Sequence, residues 1–227
     1  MRTSLVVLGA LALASFGDAQ IAKKGAGYLF RAKYVRGQKM AYDMNMIMPS
    51  MGAGGGTKVN SPLSMKVQSV SKGVATVDVS TGPVSMNGKS QGNKEVQTVQ
   101  IDSRNRSVGG KAGFEAMASF AFPEKPIAPG SKWTGDMDLD TPMAGKVKMK
   151  AIYTFVGVKT IKGKQVAEVK TSFSGNAMGK ITGGGTTLLL TSDGSLYNAN
   201  AKVNVAIQMD AKSAPLNIAT TVSLIRK

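Results

Sequence analysis

The ten residues KMAYDMNMIM, from Lys39 to Met48, are the densest group of side chains that could form a binding surface. Methionine or tyrosine occupies every second position, so these side chains share one face if the segment is a β-strand. Three interpretations fit: a core filled by flexible side chains, a deformable apolar wall for a ligand, and thioether coordination of Cu(I). Strict alternation and the lack of histidine argue against copper. The predicted ligand wall consists of Tyr28, Phe30, Met40, Tyr42, Met44 and Met46.

The sequence contains neither histidine nor cysteine. Their absence removes zinc sites, thiol nucleophiles and the usual general base near neutral pH. The segment GKSQG at 88–92 matches the G-x-S-x-G pattern of serine hydrolases, but Ser90 has no histidine to act as its base. We therefore expect that the protein is not an enzyme.

Three aspartates, Asp136, Asp138 and Asp140, have the spacing that opens a calcium-binding loop. Such a loop needs glycine and glutamate at its sixth and twelfth positions, which are Thr141 and Val147 here. A hairpin would instead place all three aspartates beside lysines, where ion pairing on an exposed face explains them. We expect neither a metal nor a cofactor.

The chain has 227 residues and a formal net charge of +16, from 29 basic and 13 acidic residues. Lysines are spread over many segments instead of forming one block. A dispersed positive charge favours anionic partners, such as phospholipid head groups or acidic glycans, and it also favours solubility. No basic helix or aromatic platform points to specific nucleic-acid binding.

The first 19 residues have the features of a cleaved signal peptide. Arg2 precedes an apolar run from Leu5 to Phe16, and Gly17 and Ala19 are small residues ahead of the cleavage point. The run is too short to span a bilayer, and no later segment is apolar enough to be a transmembrane segment of the mature chain. We expect a bacterial exported protein located in the periplasm, in the cell envelope or outside the cell.

Alternating polarity recurs along residues 20–227, which we interpret as a single, mainly β domain. We predict a curved antiparallel sheet, as a half-barrel or sandwich, with ten to twelve strands joined by short turns. A weak repeat suggests two related halves, 20–110 and 130–227. The segment GFEAMASFAFP has apolar residues at helical spacing and predicts one short helix near 113–121, followed by a Pro-rich link.

Three hairpins are specified in register. Folding residues 136–150 about Met143 sets aspartates against lysines on one face and apolar residues against each other on the other. A turn at 71–73 sets Val67 opposite Val77 and Met65 opposite Val79. A turn at 36–38 sets the segment 28–34 against the methionine strand. Asp193-Gly194 marks a further hairpin turn.

Two stretches carry a resemblance to known proteins. YLFRAKYVRGQKMAYDM, a strand–Gly-turn–strand opening, and FPEKPIAPGSKW resemble segments of exported bacterial β-proteins of unknown function. The expected topology also looks like that of the lipoprotein-carrier half-barrels. The first resemblance implies no catalytic residues, and the second concerns architecture alone.

Two functions follow from these observations. In the first, the exported protein is non-enzymatic and holds an apolar or amphiphilic, lipid-like ligand on its Met-rich sheet face. In the alternative, it is a basic structural or adhesive protein of the cell envelope with a solid core and no small-molecule ligand. Paired carboxylates from distant positions are the remaining catalytic option, and no pattern in the sequence favours them.

Overall fold

The computed structural model describes residues 20–49, 56–109, 120–141, 145–176, 179–207 and 216–227. Within these ranges the chain is mainly β, as the alternating polarity predicted, and no helix is present in them. No helix long and apolar enough to cross a bilayer occurs in this part of the chain. The predicted signal peptide, and the predicted helix near 113–121 as far as residue 119, lie outside the described residues. Phe120 and Ala121 are described and are not helical.

The described strands are β1 (Ile21–Lys24), β2 (Gly27–Phe30), β3 (Lys39–Met48), β4 (Thr57–Ser71), β5 (Val74–Thr81), β6 (Val84–Met86), β7 (Lys89–Gln91), β8 (Glu95–Asp102), β9 (Lys132–Thr141), β10 (Gly145–Ile161), β11 (Lys164–Asn176), β12 (Gly179–Leu190), β13 (Leu196–Ile207) and β14 (Leu216–Arg226).

Twelve of the described strands form one antiparallel sheet, and β1 and β2 form a separate pair. The order across the sheet is β8-β5-β4-β3-β14-β13-β12-β11-β10-β9, and the β6–β7 hairpin branches from β4. The last strand, β14, pairs with β3, which is the first strand of the twelve-stranded sheet. The first and last strands of this sheet are therefore neighbours near its middle. Among the described strands, β7, β8 and β9 lie at the edges and do not pair with one another, so the sheet does not close.

Two of the three predicted hairpin registers are confirmed. Strands β9 and β10 pair Asp136 with Lys150 and Met137 with Met149, and β4 and β5 pair Val67 with Val77. The turn between β4 and β5 contains Lys72 and Gly73, both with positive φ, which matches the twist of a tight hairpin. Local turn chemistry and opposed charges therefore determine these registers.

The predicted hairpin between residues 28–34 and the methionine strand is wrong. Strand β3 pairs with β4 and β14, and residues 31–35 leave the strand conformation. Met40 lies opposite Met65, and Tyr42 lies opposite Leu63, instead of the predicted Tyr34 and Ala32. Strand β4 has the same alternation and pairs with β3 at ten positions. It therefore matches the apolar face of β3 over more residues than the segment 28–34 could.

Residues 20–35 instead cover the inner face of the sheet. The amide of Ala32 donates to the carbonyl of Ser103, and the amide of Lys33 donates to the carbonyl of Asp193, so this segment bridges distant turns. Phe30 and Phe122 pack against inward-facing residues of β10 to β12. The cover therefore consists of β1, β2, residues 31–35 and residues 120–123.

Three consecutive glycines allow β12 to lie close to its neighbouring strands. Gly183, Gly184 and Gly185 lie in β12 with an unbroken register, and a bulge follows at Leu188 and Leu189. A Cβ atom on Gly185 would collide with the backbone carbonyl of Asn200 on β13. Residues with side chains would therefore push the two strands apart at this point.

Candidate functional site

A cavity of about 160 Å³ lies between the curved sheet and its cover. It is bounded by β3, β4, β12 to β14 and the segment that precedes β3. Strands β4 and β12 are four positions apart, which is about 19 Å in a flat sheet, so their contact with one cavity reflects the curvature of the sheet. The apolar lining comprises Ala32, Met40, Leu63, Met65, Ile101, Leu189, Leu196, Ala199 and Leu224, with the rings of Tyr34, Tyr42 and Phe120.

A polar group of side chains lies at one side of the cavity. The Ser195 hydroxyl donates to Asp193 Oδ1 at 2.5 Å, and Arg226 Nη1 donates to Ser195 Oγ at 2.6 Å. Arg226 Nη1 is 4.0 Å from Asp193 Oδ2, the long limit of an ion pair. Gln38 Nε2 also donates to Asp193 at 3.4 Å. The cavity is therefore apolar with a charged and hydrogen-bonded rim.

Two tyrosines at the cavity stay protonated well above neutral pH. Burial raises the pKa of Tyr42 to about 12; nearby Arg226 opposes this increase and Asp193 adds to it. Burial also raises the pKa of Tyr34, whose hydroxyl donates to Asn105 Oδ1 at 3.0 Å. Both phenols therefore keep their proton at neutral pH, and that of Tyr34 is already donated to Asn105.

The cavity brings together two residues of the predicted ligand wall, Met40 and Tyr42, which are both buried. Their inward direction follows from the alternation of β3. Its inner positions face Leu63 and Met65 of β4 across the ladder. The thioethers of Met40 and Met65 are thus neighbours on the cavity wall, where flexible side chains can adapt to different apolar shapes.

Tyr28 and Phe30, also predicted for the wall, belong to the aromatic core beside the cavity. The Phe30 ring centroid lies 5.0 Å from that of Phe155, 5.9 Å from Phe122 and 6.1 Å from Trp133. Tyr28 contacts Phe155 edge to face at 5.3 Å. The structure places both residues in packing contacts and neither against the cavity.

Met44 and Met46 lie further along β3 and are half-buried. Met44 is part of a separate surface groove of about 280 Å³ together with Pro62 and Pro83. Met46 lies opposite Val59 of β4. The six predicted wall residues therefore lie in three places: two line the cavity, two belong to the aromatic core, and two lie in the second half of β3.

Most of the cavity lining was not predicted. Leu189 and Leu196 come from the two sides of the β12–β13 turn, and Leu224 comes from β14. Alternation alone identifies Leu224 as part of an apolar face, but no local signal shows that β14 lies beside β3. Tyr34 and Phe120 reach the cavity from irregular segments, whereas periodicity predicted a strand at the first position and a short helix at the second.

Residues considered for catalysis or metal binding lie away from this cavity. Ser90 is exposed in the short hairpin strand β7. In the part of the chain that the structure describes, no three acidic side chains form a group that could hold a metal ion. The register sets Asp136, Asp138 and Asp140 opposite lysine positions of β10, as the hairpin interpretation predicted.

No protein-family model matches the chain, and no curated protein matches it. Among solved structures, the chain is similar to a protein from Bacteroides fragilis NCTC 9343 described as a "putative exported protein with YmcC-like fold". The two sequences are 14% identical, and the match covers 86% of this chain and 99% of that chain with a TM-score of 0.47. A similarity of this size gives no information about the ligands or activity of this chain.

Proposed function

We propose that this chain is a non-enzymatic exported protein that binds a small apolar or amphiphilic molecule between its sheet and its cover. The single observation that supports the proposal is the cavity of about 160 Å³ lined by methionine, leucine and tyrosine. Protein interiors are packed as densely as organic crystals, and voids larger than a water molecule are few. An apolar molecule bound here would cover the apolar lining and would therefore stabilise the fold.

The size of the cavity limits the ligand. An engineered apolar cavity of about 150 Å³ holds a benzene molecule. By that comparison the space here accommodates roughly six to eight non-hydrogen atoms. At about 0.8 kcal/mol for each buried carbon group, such a ligand gains about 5 to 6.5 kcal/mol, which corresponds to a Kd of about 0.02 to 0.3 mM. A larger amphiphile would extend through the polar rim.

Export is the cellular part of the proposal and depends on the N-terminal sequence. Arg2, the apolar run and the small residues before position 20 fit a cleaved leader. The lack of cysteine is compatible with an oxidising compartment, since a domain of this size does not need disulfides. Mass spectrometry of the protein secreted by a bacterial host should show a mature chain that begins at Gln20.

Methyl NMR tests the proposed binding directly. Protein labelled with ¹³C at the methionine methyl groups is titrated with toluene. The Met40 and Met65 signals should shift, because both side chains line the cavity, whereas the Met149 signal should not, because Met149 packs in a separate cluster with Ile181. Equal shifts at all three methionines, or none at any of them up to 5 mM toluene, would contradict the proposal.

A cavity-filling variant provides the matched test. Ala199→Leu adds three carbon atoms to the lining, so it should stabilise the free protein by about 1 kcal/mol and weaken toluene binding at least tenfold. Ala219→Leu, on the exposed face of the neighbouring strand, is the control and should change neither quantity. Loss of stability in Ala199→Leu together with unchanged toluene affinity would show that the space is not a ligand site.

The alternative function, adhesion to an anionic envelope surface, is supported by the outer face of the sheet. Exposed lysines occur on five of its strands, at Lys58, Lys148, Lys150, Lys170, Lys180 and Lys202. Such a surface attracts polyanions, and its effect is screened by salt. Retention on heparin resin at 0.15 M salt, lost when Lys170 and Lys202 are changed to glutamate, would favour adhesion; free passage of the wild type would exclude it.

A further inference from the structure

The hydroxyl group of Tyr42 is the most unusual polar atom of the cavity. Tyr42 is 2% exposed and lines the cavity. Among the residues that the structure describes, its hydroxyl has no hydrogen-bond partner. Every fully enclosed side-chain oxygen or nitrogen in this part of the chain does have a partner, so the Tyr42 hydroxyl must border open space. At a residue this buried, that space is the cavity.

A cation lies beside this donor. Arg226 on β14 is directly opposite Tyr42 on β3 in the strand register, so their Cβ atoms are about 5 Å apart on the same face. The Arg226 side chain is 19% exposed. It donates to Ser195 and reaches the Asp193 carboxylate only at 4.0 Å, so its charge is incompletely neutralised and several of its N–H groups remain available as donors.

We propose that Tyr42 and Arg226 together bind the carboxylate of a short straight-chain carboxylic acid whose alkyl chain occupies the apolar cavity. This inference rests on the proposed function and specifies its ligand class. A phenol and a guanidinium are both donors, and a carboxylate accepts hydrogen bonds from both at once. The apolar wall formed by Met40, Leu63 and Leu224 then contacts the chain.

Other charges near the site narrow the choice of ligand. Asp193 repels an anion from the rim, while Lys33, which also borders the cavity, attracts one. Asp193 already accepts hydrogen bonds from Ser195 and Gln38, whereas the Tyr42 hydroxyl donates to no group that the structure describes. A ligand with an amine head group would place a second cation near Arg226. Its ammonium group would offer no acceptor for the Tyr42 hydroxyl. A carboxylate therefore fits the group better than an amine or a purely apolar molecule.

Hexanoate, with eight non-hydrogen atoms, matches the size of the space, and 1-hexanol and toluene are its reference ligands. In the wild type, measured through the Met40 and Met65 methyl signals, hexanoate should bind about tenfold more tightly than 1-hexanol. Tyr42→Phe should weaken hexanoate binding about tenfold and change toluene binding less than twofold. Arg226→Gln should also weaken hexanoate selectively.

The possible results separate this inference from the proposed function. If no probe binds the wild type, the proposed function fails. If toluene binds but hexanoate binds no more tightly than 1-hexanol, the cavity is a ligand site and the carboxylate assignment is wrong. Equal loss of toluene and hexanoate in Tyr42→Phe also overturns the assignment. The comparison of ligands in the wild type decides the question even if a variant does not fold.

Discussion

Phe30 allows a quantitative test of how the cover is held on the sheet. Its side chain is 0% exposed and contacts three aromatic rings, of which that of Phe155 is the nearest. Replacing a buried phenylalanine with alanine costs about 3 to 5 kcal/mol, and each lost aromatic pair contributes about 0.5 to 1.5 kcal/mol beyond the buried area. We expect Phe30→Ala to lower the free energy of unfolding by about 4 to 5 kcal/mol, a large part of the stability of a typical domain.

Urea unfolding followed by the fluorescence of Trp133, the single tryptophan of the chain, measures this loss. The Trp133 ring lies 6.1 Å from Phe30, so its signal reports on the same cluster. Ile152→Ala on the exposed outer face is the control and should cost less than about 1 kcal/mol. A loss below 2 kcal/mol in Phe30→Ala, or a loss equal to that of the control, would refute the idea that Phe30 anchors the cover.

Two further predictions concern backbone geometry and pH. Gly194 has a φ of +71°, and a Cβ atom there would collide with the backbone carbonyl of Arg31 in the cover. Gly163 has a similar φ of +75° but open space around it, so thermal melts should show Gly194→Ala destabilised by at least 1 kcal/mol more than Gly163→Ala. Equal losses of stability would show that the backbones at Gly194 and Arg31 are not in contact. Burial raises the pKa of Tyr42 and of Tyr153 to about 12, so the stabilising contribution of each is complete below pH 10 and decreases as the pH rises from 10 towards 12. Urea unfolding at pH 9, 10 and 11 should show a smaller loss of stability in Tyr42→Phe than in the wild type, and parallel losses would show that the phenol ionises as freely in the folded state as in the unfolded one.

The part of the fold that sequence reasoning predicted is the part determined by neighbouring residues. The β9–β10 and β4–β5 hairpins follow from opposed charges and matching apolar faces within about 20 residues of chain, and β4–β5 also has a glycine in its turn. The pairing of β14 with β3 joins residues almost 180 positions apart and has no local signal. The opening hairpin was wrong for the same reason, since β4 carries the same alternation as the segment before β3 and offers more pairs.

The sequence likewise predicted only the part of the candidate site that local alternation determines. Alternation places Met40 and Tyr42 on the inner face, and both line the cavity. It also grouped Phe30 with them, because it could not show that residues 31–35 leave the sheet and cross to other turns. The polar rim joins Asp193 and Arg226, which lie in different elements and meet only through the long-range order of the strands. The division of the chain into two related halves stays a prediction.

The central claim is that the space between sheet and cover accepts an apolar molecule. The most direct measurement is a crystal structure determined under xenon pressure, since xenon enters apolar cavities of this size without chemical selectivity. We expect xenon density in contact with Met40, Leu63, Leu189 and Leu224 and no rearrangement of the surrounding backbone. A structure in which those side chains close the space, with no xenon between them, would contradict the account.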